Sequence, residues 1–81
     1  MTAKEAAEIL KSKYKDKSIV ECLVFADFFA FAMTDKGKEA EDRAGGYDTV
    51  NKKTGIISTF NPIEDMSAYM SAVLIDINTL N

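Results

Sequence analysis

Ala6, Ile9, Leu10 and Tyr14 recur at helical spacing near the start of the chain, so one side of this stretch is apolar and the remainder is charged. Thr2 and Glu5 stand in the T-x-x-E arrangement, in which a hydroxyl and a carboxylate satisfy amide donors left over at a helix start. Lys11, Lys13, Lys15 and Lys17 crowd the other end, where the helix dipole favours positive charge. These features predict a helix from about residue 3 to residue 15.

The pattern changes at residues 19–34, where Val, Ile and Phe dominate and "KDKS" and "DKGK" bound the run. β-Branched and aromatic residues between polar punctuation predict strand rather than helix. Asp27, following Phe25 and Ala26, splits the run into "SIVECLVF" and "DFFAFAMT", giving two antiparallel strands or one long bent strand. On the second segment Phe29, Phe31 and Met33 share one face and Phe28, Ala30 and Ala32 the other, so both faces are apolar and each needs cover.

Residues 35–46, "DKGKEAEDRAGG", hold seven charged residues and three glycines without apolar periodicity, and read as a loop. "YDTVN" and "IISTF" then read as two strands joined at "KKTG", where Gly55 can take the positive φ that closes such a turn. Lys52 and Lys53 sit at the tip, in water, as candidate contact residues. A second helix start follows, with Asn61 as N-cap, Pro62 in the first turn and Glu64 two residues on. Ile63, Met66, Met70, Val73 and Ile77 recur at spacings of three and four, broadened by Tyr69 and Leu74, and predict a helix that ends near Asn78.

This order predicts one α+β domain over residues 1–81. It is an antiparallel sheet of three to four strands with the N-terminal and C-terminal helices packed on one face, in the order α-β-β-β-β-α. A chain of 81 residues buries only about 60–65% of its unfolded surface. A shallow working surface is therefore expected in place of a deep cavity. Its 47% hydrophobic and 28% charged residues place it among folded globular chains. The N-terminus lacks the apolar run of a signal peptide, and "IVECLVFADFFAFAM" is too short and too charged to span a bilayer, so a soluble cytoplasmic protein is expected.

The inventory of reactive groups is thin. There is no histidine, which excludes Ser/His/Asp and Cys/His catalysis and removes the commonest transition-metal ligand. Cys22 is the single cysteine, and among Glu21, Leu23 and Val24 in an apolar strand nothing pushes it toward thiolate. "DKGKEAEDR" departs from a calcium-binding loop because Lys36 and Lys38 intervene and the glycine comes early. Glu21 and Asp27 could act as an acid–base pair only across a cleft. Gly45 and Gly46 lack the further glycines and the lysine of a phosphate-binding loop. A net charge of −3, and no basic residues beside the aromatics of "FADFFAF", argue against nucleic acid as a partner. No catalytic residue, cofactor or metal ion is expected.

"YDTVNKKTGIIS" resembles the V-D-x-x-T-G-x-V hairpin of PepSY-like domains and of small bacterial immunity proteins that neutralise toxins. The layout of "DFFAFAM", a charged loop, "GGYDTVNKKTGIISTFNP" and a helix is also similar to short bacterial α+β proteins. The resemblance implies a β-hairpin beside a helix and a role in binding, and it carries over no catalytic residue.

The expected function is a non-enzymatic protein-binding domain, of which an immunity-type inhibitor of a partner protein is one form. The alternative is a homodimeric structural or small-ligand-binding domain. If both helices cover one face of the sheet, Phe28, Ala30 and Ala32 mark the uncovered face, the candidate partner or dimer surface.

Overall fold

The computed structural model describes residues 1–35 and 46–80. The predicted charged loop lies, from residue 36 to 45, outside the described residues. The fold is α+β: helix α1 (Ala3–Lys13), strands β1 (Lys17–Val24), β2 (Phe28–Asp35), β3 (Tyr47–Asn51) and β4 (Ile57–Phe60), helix α2 (Met66–Ser71), strand β5 (Val73–Ile75) and a 3-10 turn, Ile77–Thr79. The strands form one antiparallel sheet in the order β4-β3-β2-β1-β5.

The capping box forms as the sequence predicts. The Thr2 N–H donates to Glu5 Oε1 at 2.9 Å and the Glu5 N–H donates to Thr2 Oγ1 at 3.2 Å. These bonds hold the Glu5 carboxyl below its ordinary pKa, the Thr2 backbone contributing most. From this start α1 turns Ala6, Ala7 and Leu10 into the protein, and all three are fully buried.

The run 19–34 forms two strands, joined by a tight turn at Phe25–Asp27 in which the Phe25 N–H donates to the Phe28 carbonyl at 3.0 Å. A bulge between Ile19 and Glu21 inserts Val20. Because of that extra residue, Ile19 and Cys22, three positions apart, both join the core beneath α1. This first core also holds Phe29, Phe31, Met33 and Val50. The 3-10 turn brings Leu80 into it, and the Lys11 ammonium grips the Leu80 carbonyl.

The hairpin β3–β4 closes as expected, with Gly55 at φ +72°. Asn51 Oδ1 accepts from the N–H groups of Lys53 (2.8 Å) and Thr54 (3.0 Å), which fixes the tip from within. A Cβ at Gly55 would lie 3.6 Å from Ile9 Cδ1, so the tip tucks against α1. The hairpin is thus a packed element of the fold as well as a connection.

The predicted C-terminal helix is different. Asn61 opens a turn, with its Oδ1 accepting from the Ile63 N–H at 3.0 Å, and the helix N-cap is Asp65, whose Oδ1 accepts from the Ala68 N–H at 3.1 Å. The helix is six residues long and is followed at once by β5, which adds a fifth strand beside β1. Tertiary pairing decides this: Val73, Leu74 and Ile75 satisfy backbone groups of the exposed edge of β1 and suit a pleated strand by type. The two helices also divide the faces of the sheet. Tyr69 and Ala72 pack into the second core, with Leu23, Ala30, Ala32 and Tyr47, on the face away from α1.

Candidate functional site

The second face is floored by small residues. Ala30 and Ala32 are both 0% exposed, because Tyr47 and Tyr69 lie in the same cluster and the aromatic rings of both hairpin ends close over it. Phe25 and Phe28 stack with centroids 4.5 Å apart, and Phe60 meets them at 5.0 and 6.0 Å. Tyr47 lies 6.5 Å from Phe60 and 6.2 Å from Tyr69. Of the three residues expected to mark an open partner surface, Phe28 is half-buried in this aromatic group, and Ala30 and Ala32 are enclosed by the chain itself.

The Tyr47 hydroxyl donates to Glu21 Oε1 at 2.7 Å. Burial, then the Glu21 carboxylate and Tyr69, push the Tyr47 phenol well above its ordinary pKa. A phenol held so firmly protonated is a hydrogen-bond donor, unsuited to act as a base. Glu21, weighed from the sequence as an acid or base opposite Asp27, instead anchors Tyr47. Cys22 is fully buried, and burial pushes its thiol up to about 12, which leaves it protonated and unreactive near neutrality.

The two tip lysines have different settings. Lys52 is half-buried: its N–H donates to the Asp27 carbonyl at 3.0 Å and its ammonium lies 5.0 Å from the centre of the Phe29 ring. Lys53 is exposed. The tip therefore holds one exposed lysine beside one whose backbone N–H braces the turn and whose ammonium lies over an aromatic ring.

A cavity of about 460 Å³, open to water, is lined by Gly46, Thr59, Phe60, Asn61, Glu64 and Asp65. Its Asn61 and Asp65 oxygens already cap the local turns. Among the described residues no three of His, Cys, Asp and Glu gather as metal ligands, and no helix is long and apolar enough to cross a membrane.

The most unusual surface lies where the sequence predicted a buried helical stripe. Ile63 is 82% exposed, Met66 50%, Met70 77%, Val73 62% and Leu74 65%, and α2 has no fully buried residue. The side chains that do pack are Tyr69 and Ala72. The spacing of apolar residues was visible in the sequence, but spacing alone cannot say which side of a helix meets the core. The flanking small and aromatic pair, Tyr69 and Ala72, was the available signal for the inward side, since alanines line the floor opposite.

Compared with known protein families, curated proteins and solved structures, the chain matches none.

Proposed function

We propose that this protein is a non-enzymatic protein-binding domain whose contact surface is the outward side of the α2–β5 segment. The observation that supports the reading is the exposure of Ile63, Met66, Met70 and Leu74 within one short stretch of chain, Leu74 facing the α2 side because it pairs with Leu23 of the second core. Single exposed apolar residues are ordinary, but several from one segment are characteristic of surfaces that are covered by another protein. Two methionines suit this role, because the flexible thioether adapts to a partner's shape. An immunity-type inhibitor acts in this way, by covering its partner rather than transforming it.

The test is a photo-crosslinking amino acid placed at position 70, with position 58 on the opposite edge strand as the control, in cells of the source organism. A discrete crosslinked protein at position 70 that is absent at position 58 supports the reading. Equal products at both positions, or none at position 70, would remove it.

A further inference from the structure

The two edges of the sheet are formed, among the described residues, by β4 and β5, and their surroundings differ. Residues 54–80 contain no lysine or arginine, so β5, three residues long, runs into Asp76 with no cation in its segment. Strand β4 stands between opposite charges, with Lys52 and Lys53 at the hairpin tip before it and Glu64 and Asp65 in the turn after it. Residues 54–63, between them, are uncharged. Edge strands are ordinarily guarded against pairing by a charge, a proline or a bulge. Ile57–Phe60 contains neither charge nor proline and pairs residue for residue with β3.

The Asn51 N–H donates to the Ile56 carbonyl at 3.0 Å, which sets the alternation of this ladder. Ser58 and Phe60 bond to β3, while Ile57 and Thr59 turn their N–H and carbonyl groups to the open edge. Ser58 and Thr59 are exposed, and Ile56, just before the strand, is 65% exposed. The edge is therefore accessible along its length.

We infer that β4 pairs antiparallel with β4 of a second copy, about a two-fold axis through Ser58, so that the two sheets become one. Outward groups must meet outward groups, so Ile57 and Thr59 of one copy bond Thr59 and Ile57 of the other, and Ser58 stands opposite itself. Charge selects this occupant. Antiparallel pairing sets the tip of each copy at the acidic end of the other, with Lys52 and Lys53 against Glu64 and Asp65, whereas a parallel second copy would set lysine beside lysine. The open cavity of about 460 Å³ lies at that end, lined in part by Thr59, Asn61, Glu64 and Asp65, and receives the incoming tip. In the same register Ile56 stands opposite Phe60 of the second copy, an apolar cross-strand pair. This contact is separate from the α2–β5 surface and does not depend on it.

The test is sedimentation of the full-length chain from micromolar to near-millimolar concentration, where a reversible dimer is expected. Thr59→Pro removes an outward N–H and leaves the β3 ladder intact, so it should give a monomer with an unchanged far-ultraviolet spectrum. Ser58→Lys, at an exposed position, should weaken the dimer about tenfold by setting like charges opposite each other, and decides the matter if the proline variant does not fold. Lys53→Glu should weaken it about threefold through two symmetry-related contacts, and Lys53→Glu/Glu64→Lys should restore it. A chain that stays monomeric throughout, a dimer that Ser58→Lys leaves intact, or a charge swap without rescue would overturn the inference. So would a dimer that Met70→Lys dissolves, because the second copy would then sit on α2. In the crosslinking experiment, position 58 should capture the chain's own dimer, distinct in mass from a different protein captured at position 70. Either reading can therefore fail while the other stands.

Discussion

The two helices carry similar local instructions and meet opposite fates. Each has a side-chain N-cap, Thr2 for α1 and Asp65 for α2, and each is followed by a strand of the same sheet. Yet α1 buries Ala6, Ala7 and Leu10 completely, whereas α2 leaves Met66 and Met70 largely in water. The difference originates in the floor beneath them. The α1 side of the sheet presents Phe29, Phe31, Met33 and Val50, a rough surface whose gaps small and medium helix residues must fill. The α2 side presents Ala30 and Ala32, and the space above them is filled by Phe25, Phe28, Phe60 and Tyr47 from the strand ends. Tyr69 and Ala72 complete that layer, so among the described residues the remaining apolar residues of α2 have no core left to join. A cap and a period therefore establish a helix, and the opposing surface decides whether the helix is core or interface.

The strongest challenge to this contrast is a pair of truncations. Leu10→Ala should cost about 2–5 kcal/mol, the range for deleting a fully buried leucine. Met70→Ala should stay within about 0.5 kcal/mol, as for an exposed side chain. Urea unfolding midpoints measure both. A Met70→Ala loss comparable to that of Leu10→Ala would mean that α2 is a core element after all.

Overfilling the alanine floor tests the other side. Ala32→Leu should cost about 1–3 kcal/mol, because its neighbours Tyr47 and Tyr69 must shift to admit the larger side chain. Amide exchange at residues 66–72 should accelerate while that of α1 stays slow. Uniform acceleration would show that the two faces are mechanically one.

Alkaline titration isolates the α1 side through Cys22. Burial holds its thiol near 12 in the folded protein, against roughly 8.5 for an unfolded chain. The folded value is the higher one, so the associated stability is fully present below about pH 8.5 and is lost as pH rises toward the folded value. By about pH 9.5 the loss should approach 1.4 kcal/mol, and Cys22→Ala should flatten the slope even though it lowers stability overall. Tyr47, on the other face, starts to contribute only above about pH 10, the ordinary tyrosine range. An unchanged slope in Cys22→Ala would show that the thiol is not responsible.

Much of the architecture was legible. The capping box of Thr2 and Glu5, the break at Asp27 and the glycine turn at Gly55 are local signals that act over three or four residues, and each appears where the sequence places it. The segment from Asn61 to Asn78 was misread because two periods coexist there. Ile63, Met66, Met70, Val73 and Ile77 fit a helix, while Val73, Ile75 and Ile77 also alternate as in a strand. The partner strand β1, some fifty residues earlier, settles the choice, and no local rule contains that information. The same non-local cause hid the surface. Phe28, Ala30 and Ala32 were correctly assigned to a shared second face, but whether that face was bare depended on where α2 came to rest.

The smallest effect is also the most discriminating, because it alters the two caps by the same chemistry. Thr2→Ala removes the hydroxyl that accepts from the Glu5 N–H, and should cost about 1 kcal/mol of global stability. The effect is global because α1 cannot fray without exposing Leu10 and opening the first core. Asp65→Ala removes the carboxylate that accepts from the Ala68 N–H, yet among the described residues α2 and its C-cap bring just Tyr69 and Ala72 into a core. Its first turn can therefore fray with the sheet intact. Asp65→Ala should leave the unfolding midpoint nearly unchanged and raise amide exchange at residues 66–71 alone. A global loss equal to that of Thr2→Ala would mean that α2 unfolds together with the sheet. Local fraying would instead identify α2 as the part of the molecule that a partner can order at little cost to the fold.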